Sequence, residues 1–145
     1  ARDAFEMRPD ARRFENWETY YAGKIGLGVA IDYALQWGLE NIRTRISALA
    51  EALRAQLSTL PGVTVRDKGA ERCGIVTFTV DGTPPEEIRD RLAERQINVT
   101  VSSFRSTRLD MEARGLAGLV RASVHYYNSE EEVERFCATL ASLVR

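Results

Sequence analysis

Between Leu39 and Leu60 the residues Leu39, Ile42, Ile46, Leu49, Leu53, Leu57 and Leu60 recur at steps of three and four. Glu40, Arg43, Arg45, Glu51 and Arg54 take the other side, which is the period of an amphipathic helix. Pro61-Gly62 stops it. Upstream the pattern changes. From Ile25 to Trp37 the chain is apolar nearly all round, through Ile25, Leu27, Val29, Ile31, Tyr33, Leu35 and Trp37, with Gly26 and Gly28 between. A helix apolar on every side calls for burial on every side. The remaining residues can hardly enclose it while burying their own helix faces, so the chain is expected to be part of something larger. Residues 1–24 are polar, punctuated by Pro9 and Gly23 and scattered with Phe5, Phe14, Trp17, Tyr20 and Tyr21. Aromatics on such an arm need another surface to cover them.

Past Pro61-Gly62 the period shortens to two. Val63–Arg66 and Cys73–Val80 read as strands, the second alternating Thr77 and Thr79 against Val76, Phe78 and Val80. Asp81-Gly82 makes a turn. Thr83-Pro84-Pro85-Glu86 then predicts a helix start, with Thr83 as N-cap, Pro84 at N1 and Glu86 at N3. That helix runs to about Arg95, and Ile97, Val99 and Val101 form a third strand. Ser102–Gly118 is loop-like, polar and rich in hydroxyls and arginine, and Leu119–Val124 forms a fourth strand. Asn128-Ser129 caps a last helix with Glu132 at N3; its apolar face is Val133, Phe136, Leu140 and Leu143, with Cys137 beside it. The order α-α-β-β-α-β-β-α predicts an α+β fold, a small antiparallel or mixed four-stranded sheet backed by helices.

Composition narrows the function classes. At 145 residues, 44% hydrophobic and 28% charged, the chain is ordinary globular protein. With 20 basic and 21 acidic residues it lacks the basic excess that neutralises phosphates, which argues against a nucleic-acid partner. No window approaches the roughly 20 apolar residues of a membrane span, and the first ten residues carry no signal-peptide core, so no membrane partner and a cytoplasmic location are expected. Cys73 and Cys137 lie far apart, and His125 is the single histidine. A structural zinc needs about four clustered ligands, so no metal site is expected. Cys73 reads as a small core hydrophobe. His125, in an alternating run, reads as packing in preference to catalysis.

Three segments in order resemble class V aminotransferases, the cysteine-desulfurase-like family. They are GKIGLGVAIDYALQWGLENI, then LPGVTV…RCGIVTFTVDGTPPEEIRDRLAERQINVTV, then VRASVHYYNSEEEVERF. The first is similar to the helices leaving the family's large domain and the second to its small-domain strand-strand-helix-strand unit. The third resembles the C-terminal R-x-S-x-x-Y-N stretch before the final helix. The likeness runs from about Arg13 to the end. It implies the small C-terminal domain of a fold-type I pyridoxal phosphate enzyme, a homodimer acting on an amino-acid substrate. On that reading residues 1–24 are an arm from a missing large domain, 25–38 an interdomain helix and 39–145 the small α+β domain. The Schiff-base lysine then lies upstream, so neither Lys24 nor Lys68 is that residue, the chain holds no catalytic residue and is inactive alone.

The resemblance also assigns candidate site residues. Arg121 matches the arginine that clamps the substrate's α-carboxylate, a task suited to a planar guanidinium with two parallel donors. Orientation matters in this chemistry, because the bond that breaks must stand perpendicular to the cofactor's π-system. Ser102–Gly118 matches the loop that in desulfurases carries the sulfur-attacking cysteine, and it has none here. Persulfide formation thus lacks its thiolate. Ser103 and Arg105, with Ser102, Ser106, Thr107 and Arg108, are left to contact a polar substrate or a neighbouring subunit. Around Asn16-Trp17-Glu18 the family carries a turn reaching the cofactor phosphate. This sequence departs from that turn, but Asn16 and Thr19 retain donors for cofactor contact. Two other classes stay open: a stand-alone α+β ligand-binding or regulatory module, and a dimerisation remnant pairing through Ile25–Trp37. The module should show a polar face between Ile25 and Trp37.

Overall fold

The computed structural model describes residues 3–16 and 18–144, so Trp17 of the arm lies outside the described residues. The chain divides into two compact units, Ala1–Gly38 and Leu39–Arg145. In the first, Asp10 caps a short 3-10 turn, Ala11–Phe14, its carboxylate accepting the Arg12 N–H at 3.0 Å. Helix α1 follows over Tyr21–Trp37. It begins four residues ahead of Ile25, taking in Gly23, where a Cβ would run into the Tyr20 ring. No residue of the helix is buried within its own unit; Ile25 is 70% and Val29 65% exposed.

The second unit starts with α2, Leu39–Leu57. Leu49, Leu53 and Leu57 are buried, and Leu60 falls in the turn beyond the helix, which closes on Gly62 at φ 73°. The strands β1 (Val63–Val65), β2 (Ile75–Val80), β3 (Thr100–Ser103) and β4 (Gly118–Ser123) form one sheet in the order β1-β2-β4-β3, every pair antiparallel. The fold is thus α+β, with an antiparallel sheet backed on one face by α2, α3 (Pro85–Ala93) and α5 (Glu130–Leu143). Alternation sends Val76, Phe78 and Val80 of β2 and Val120 and Ala122 of β4 into that layer. There they meet Ile88 and Leu92 of α3 and Val133, Phe136, Cys137 and Leu140 of α5. Phe78 and Phe136 pack edge to face at 6.1 Å.

Several boundaries differ from the sequence expectation, each for a local reason. Thr83 is not the N-cap of α3; Pro84 is, and Pro85 opens the helix without a side-chain cap. A residue before proline is driven out of the helical region, and Pro84 sits at ψ 143°. Ser129 does cap α5: it accepts from the Glu132 N–H, and Glu132 reaches back to the Ser129 N–H at 3.1 Å. β3 begins at Thr100, so Ile97 and Val99 pack against the core from the connection ahead of it. β2 begins at Ile75, which leaves Cys73 outside the strand and exposed, not in the core. Gly74 between them is pressed against Ile46 and the Val124 carbonyl, each 2.6 Å from where a Cβ would stand. Ser102–Gly118 is not a loop throughout. Ser102 and Ser103 end β3, and Arg108–Arg114 form helix α4, closed by Gly115 in the left-handed region at φ 61°.

Candidate functional site

The face of the sheet away from α2, α3 and α5 carries the polar half of each strand. Strand register arranges it in rows. Arg121 of β4 stands opposite Thr77 of β2 and Thr100 of β3, and one row over Leu119 stands opposite Ser102. Thr77 accepts from the Arg66 N–H at 2.7 Å and gives its own N–H to Asp67 at 2.7 Å. Both backbone groups of Thr77 thus turn toward β1, so Thr77 and Arg121 form the closer, non-hydrogen-bonded kind of pair, with Cα atoms about 4.5 Å apart. Arg121 turns its own backbone to Thr100. Its guanidinium is exposed and makes no hydrogen bond or ion pair with any described residue.

Helix α4 covers one end of this face. Met111 is its buried anchor, beside the buried Leu119. Ion pairs secure it: Arg114 to Asp110 at 2.9 Å, Arg108 to Glu112 at 2.8 Å, and Lys68 to Asp110 at 3.6 Å. Arg114 also donates to the Arg66 carbonyl at 2.6 Å, tying α4 to the segment after β1. Between α4 and that segment runs a groove of about 330 Å³, floored by Thr77, Leu119 and Ser102.

β1 is only three residues long, so the first half of β2 loses its partner. Arg54 of α2 replaces it. Its Nη2 donates to the carbonyls of Cys73 and Ile75 at 2.7 and 3.2 Å, and its Nε to Asp67 at 2.7 Å. Asp67 in turn accepts from the Thr77 N–H and hydroxyl at 2.7 and 2.6 Å. Arg54 is 4% exposed, not on the solvent side of α2 as its charge suggested. The signal was in the spacing: position 54 lies four residues after the buried Ala50 and three before the buried Leu57, hence on their face.

The structure does not gather all the candidate residues. Ser103 pairs with Gly118, so by alternation its side chain leaves on the other face from Arg121, while Ser102 shares the Arg121 face. The Ser103 hydroxyl meets that of Ser106 at 3.0 Å across a turn. Arg105, exposed in that turn, has no partner among the described residues. Asn16 and Thr19 belong to the first unit, ahead of α1. Lys24 is exposed on α1. His125 stacks on Tyr127 at 4.7 Å and donates its backbone N–H to Asn128, in the turn that leads into α5. A second cavity of about 290 Å³ lies between residues 96–99 and the start of α5, but its rim is already committed. Asn128 and Glu132 serve the cap, and Arg135 donates to the Arg95 carbonyl. Burial pushes the Cys137 thiol up to about 11.

Residues 3–136 match the family model described as aminotransferase class-V. The chain is 30% identical over 128 residues to a probable cysteine desulfurase of Xylella fastidiosa, covering 88% of this chain and 30% of that protein. It superposes on the apo cysteine desulfurase of Thermococcus onnurineus NA1 with a TM-score of 0.83 at 30% identity, over 99% of this chain and 36% of that one. A C-DES mutant with glycine covalently linked to the PLP cofactor aligns at 0.70 and 29% identity, over 90% of this chain and 31% of its own. The chain thus spans about a third of the length of the relatives it matches.

Proposed function

Because the chain belongs to the aminotransferase class-V family of fold-type I pyridoxal-phosphate-dependent enzymes, we propose that it is the small C-terminal domain of an enzyme acting on an amino acid, with Arg121 holding the substrate's α-carboxylate. The observation that carries this reading is the free guanidinium of Arg121 on the face away from α2, α3 and α5, in an interior strand of the sheet. An arginine already committed to an internal carboxylate would have to give it up before binding another. Arg121 has none to give up. Thr77 and Thr100 flank it with short side chains, and β4 is paired with a strand on each side. A bidentate guanidinium–carboxylate contact then fixes the orientation of the substrate as well as its affinity.

The cavities of the second unit do not by their own lining make a cofactor site. The two cavities described for the second unit are lined from Leu53 and Arg54 onward and include neither Asn16 nor Thr19. Lys24 is exposed, and Lys68 is engaged by Asp110. We assign the cofactor and its lysine to the rest of the enzyme, and on this reading the 145-residue chain is inactive alone. The exposed apolar surface of α1 supports a larger partner surface. Persulfide chemistry is disfavoured. Residues 102–118 contain no cysteine, Cys137 is buried with a raised pKa, and Cys73 lies ahead of β2. The test is the visible absorbance of bound pyridoxal phosphate. The full-length enzyme should show it, and the 145-residue chain mixed with the cofactor should not. A colourless full-length protein would refute the assignment.

A further inference from the structure

The row of side chains that holds Arg121 does not end at Thr77. Val65 pairs with Phe78, so the next residue, Arg66, stands opposite Thr77 on its other side. Its side chain shares the face away from α2, α3 and α5, because its Nε donates to the Thr79 hydroxyl at 3.0 Å. Thr79 alternates with the buried Phe78 and Val80, which fixes its face. One row therefore reads Arg66–Thr77–Arg121–Thr100. Two strand spacings, roughly 10 Å, separate the two arginine Cα atoms, a span that two long side chains can close around one small molecule.

Charge distribution around the groove singles Arg66 out. Arg54, Lys68, Arg72 and Arg114 each have a carboxylate partner. Arg66 and Arg121 have none among the described residues, and Arg66 lines the groove beside α4. Nor is Arg66 a loose surface cation. Its N–H is bonded to Thr77, its carbonyl takes a bond from Arg114, and Thr79 steers its Nε. That leaves the two Nη groups without a partner among the described residues, on a half-buried side chain. An arginine braced on three sides with its terminal donors unused is organised to receive an anion.

We propose that Arg66 is a specificity-determining residue that binds a second anionic group of the substrate, so that the enzyme takes a dicarboxylic amino acid. This rests on the reading of Arg121 as the α-carboxylate clamp and names the substrate class for that same site. Arg121 takes the carboxylate common to every amino acid. Arg66 takes the one on the side chain, with the Thr77 hydroxyl engaged by Asp67 and so held out of competition between them.

Titration calorimetry of the full-length, cofactor-loaded enzyme with two inert probes, succinate and butyrate, tests this. The wild type should bind succinate about tenfold or more tightly than butyrate. Arg66→Gln should abolish that preference by weakening succinate alone, with butyrate unchanged, and Arg66→Lys should restore part of it. Arg121→Gln should weaken both probes. If Arg66→Gln leaves the succinate-to-butyrate ratio as in the wild type, or the wild type shows no preference, the assignment of Arg66 is overturned. If Arg121→Gln weakens neither probe, it is the α-carboxylate reading that fails, and the two failures are told apart.

Discussion

Replacing Arg54 by methionine removes one guanidinium and takes a partner from four groups. The Asp67 carboxylate, 7% exposed, loses its only cation among the described residues, the carbonyls of Cys73 and Ile75 lose a donor, and Glu51 loses one of two arginine partners. Asp67 keeps only the N–H and hydroxyl of Thr77. Breaking a buried pair from one side costs about 3–5 kcal/mol, since the remaining charge is left uncompensated. Against a domain stability of about 5–15 kcal/mol this is a large share. With a urea slope near 2 kcal/mol per M, the midpoint should fall by roughly 2 M. Both tryptophans, Trp17 and Trp37, precede the second unit, so far-UV circular dichroism is the better probe. Adding Asp67→Asn neutralises the stranded charge, and the double variant should be less destabilised than the sum of the singles by roughly 1–3 kcal/mol. A cost below about 1 kcal/mol for Arg54→Met, or strict additivity in the cycle, would refute the claim that this pair stands in for the missing length of β1.

Three further outcomes follow from the geometry. Ser129→Ala removes one half of the α5 capping box and should cost about 1 kcal/mol, read as a lower melting temperature, with Ser129→Asp largely restoring it. Glu130 accepts hydrogen bonds from Arg45, one of them at 2.8 Å, and these, with a backbone bond, pull its carboxyl from 4.5 down to about 2. A depressed folded-state pKa gives stability that is present above about pH 4.5 and is lost as pH falls toward 2, so Arg45→Met should flatten the acid limb of a stability–pH curve. With a thiol-specific chromogenic reagent at neutral pH, the exposed Cys73 should react quickly. Cys137, buried and raised to about 11, should react only on unfolding, and two fast equivalents would contradict its placement in the core.

Legibility in the sequence followed the strength of the periodic signal. The stripe on α2, the alternation of β2 and the Ser129/Glu132 box were each readable, because burial and capping write themselves at fixed spacing. Helix α4 was not. It buries a single apolar side chain, Met111, while Leu109 stays exposed, so no stripe marks it. Its clues were the i,i+4 pairs Arg108/Glu112 and Asp110/Arg114 and the terminal Gly115. Arg54 hid for the opposite reason: its charge argued for solvent while its position argued for the core, and the unpaired carbonyls of β2 decided it. Arg66 was out of reach because its significance lies in a register across two strand pairs, which no local pattern reports.

The central claim, that Arg121 clamps the substrate carboxylate, is tested most directly by amino-acid binding to the full-length Arg121→Gln variant, with the cofactor's visible band as an internal control. Hydrogen bonds to a charged group contribute about 1.5–3 kcal/mol, so affinity should fall roughly 10- to 150-fold while the band stays at its wild-type position and strength. Unchanged affinity, with the band intact, would contradict the account.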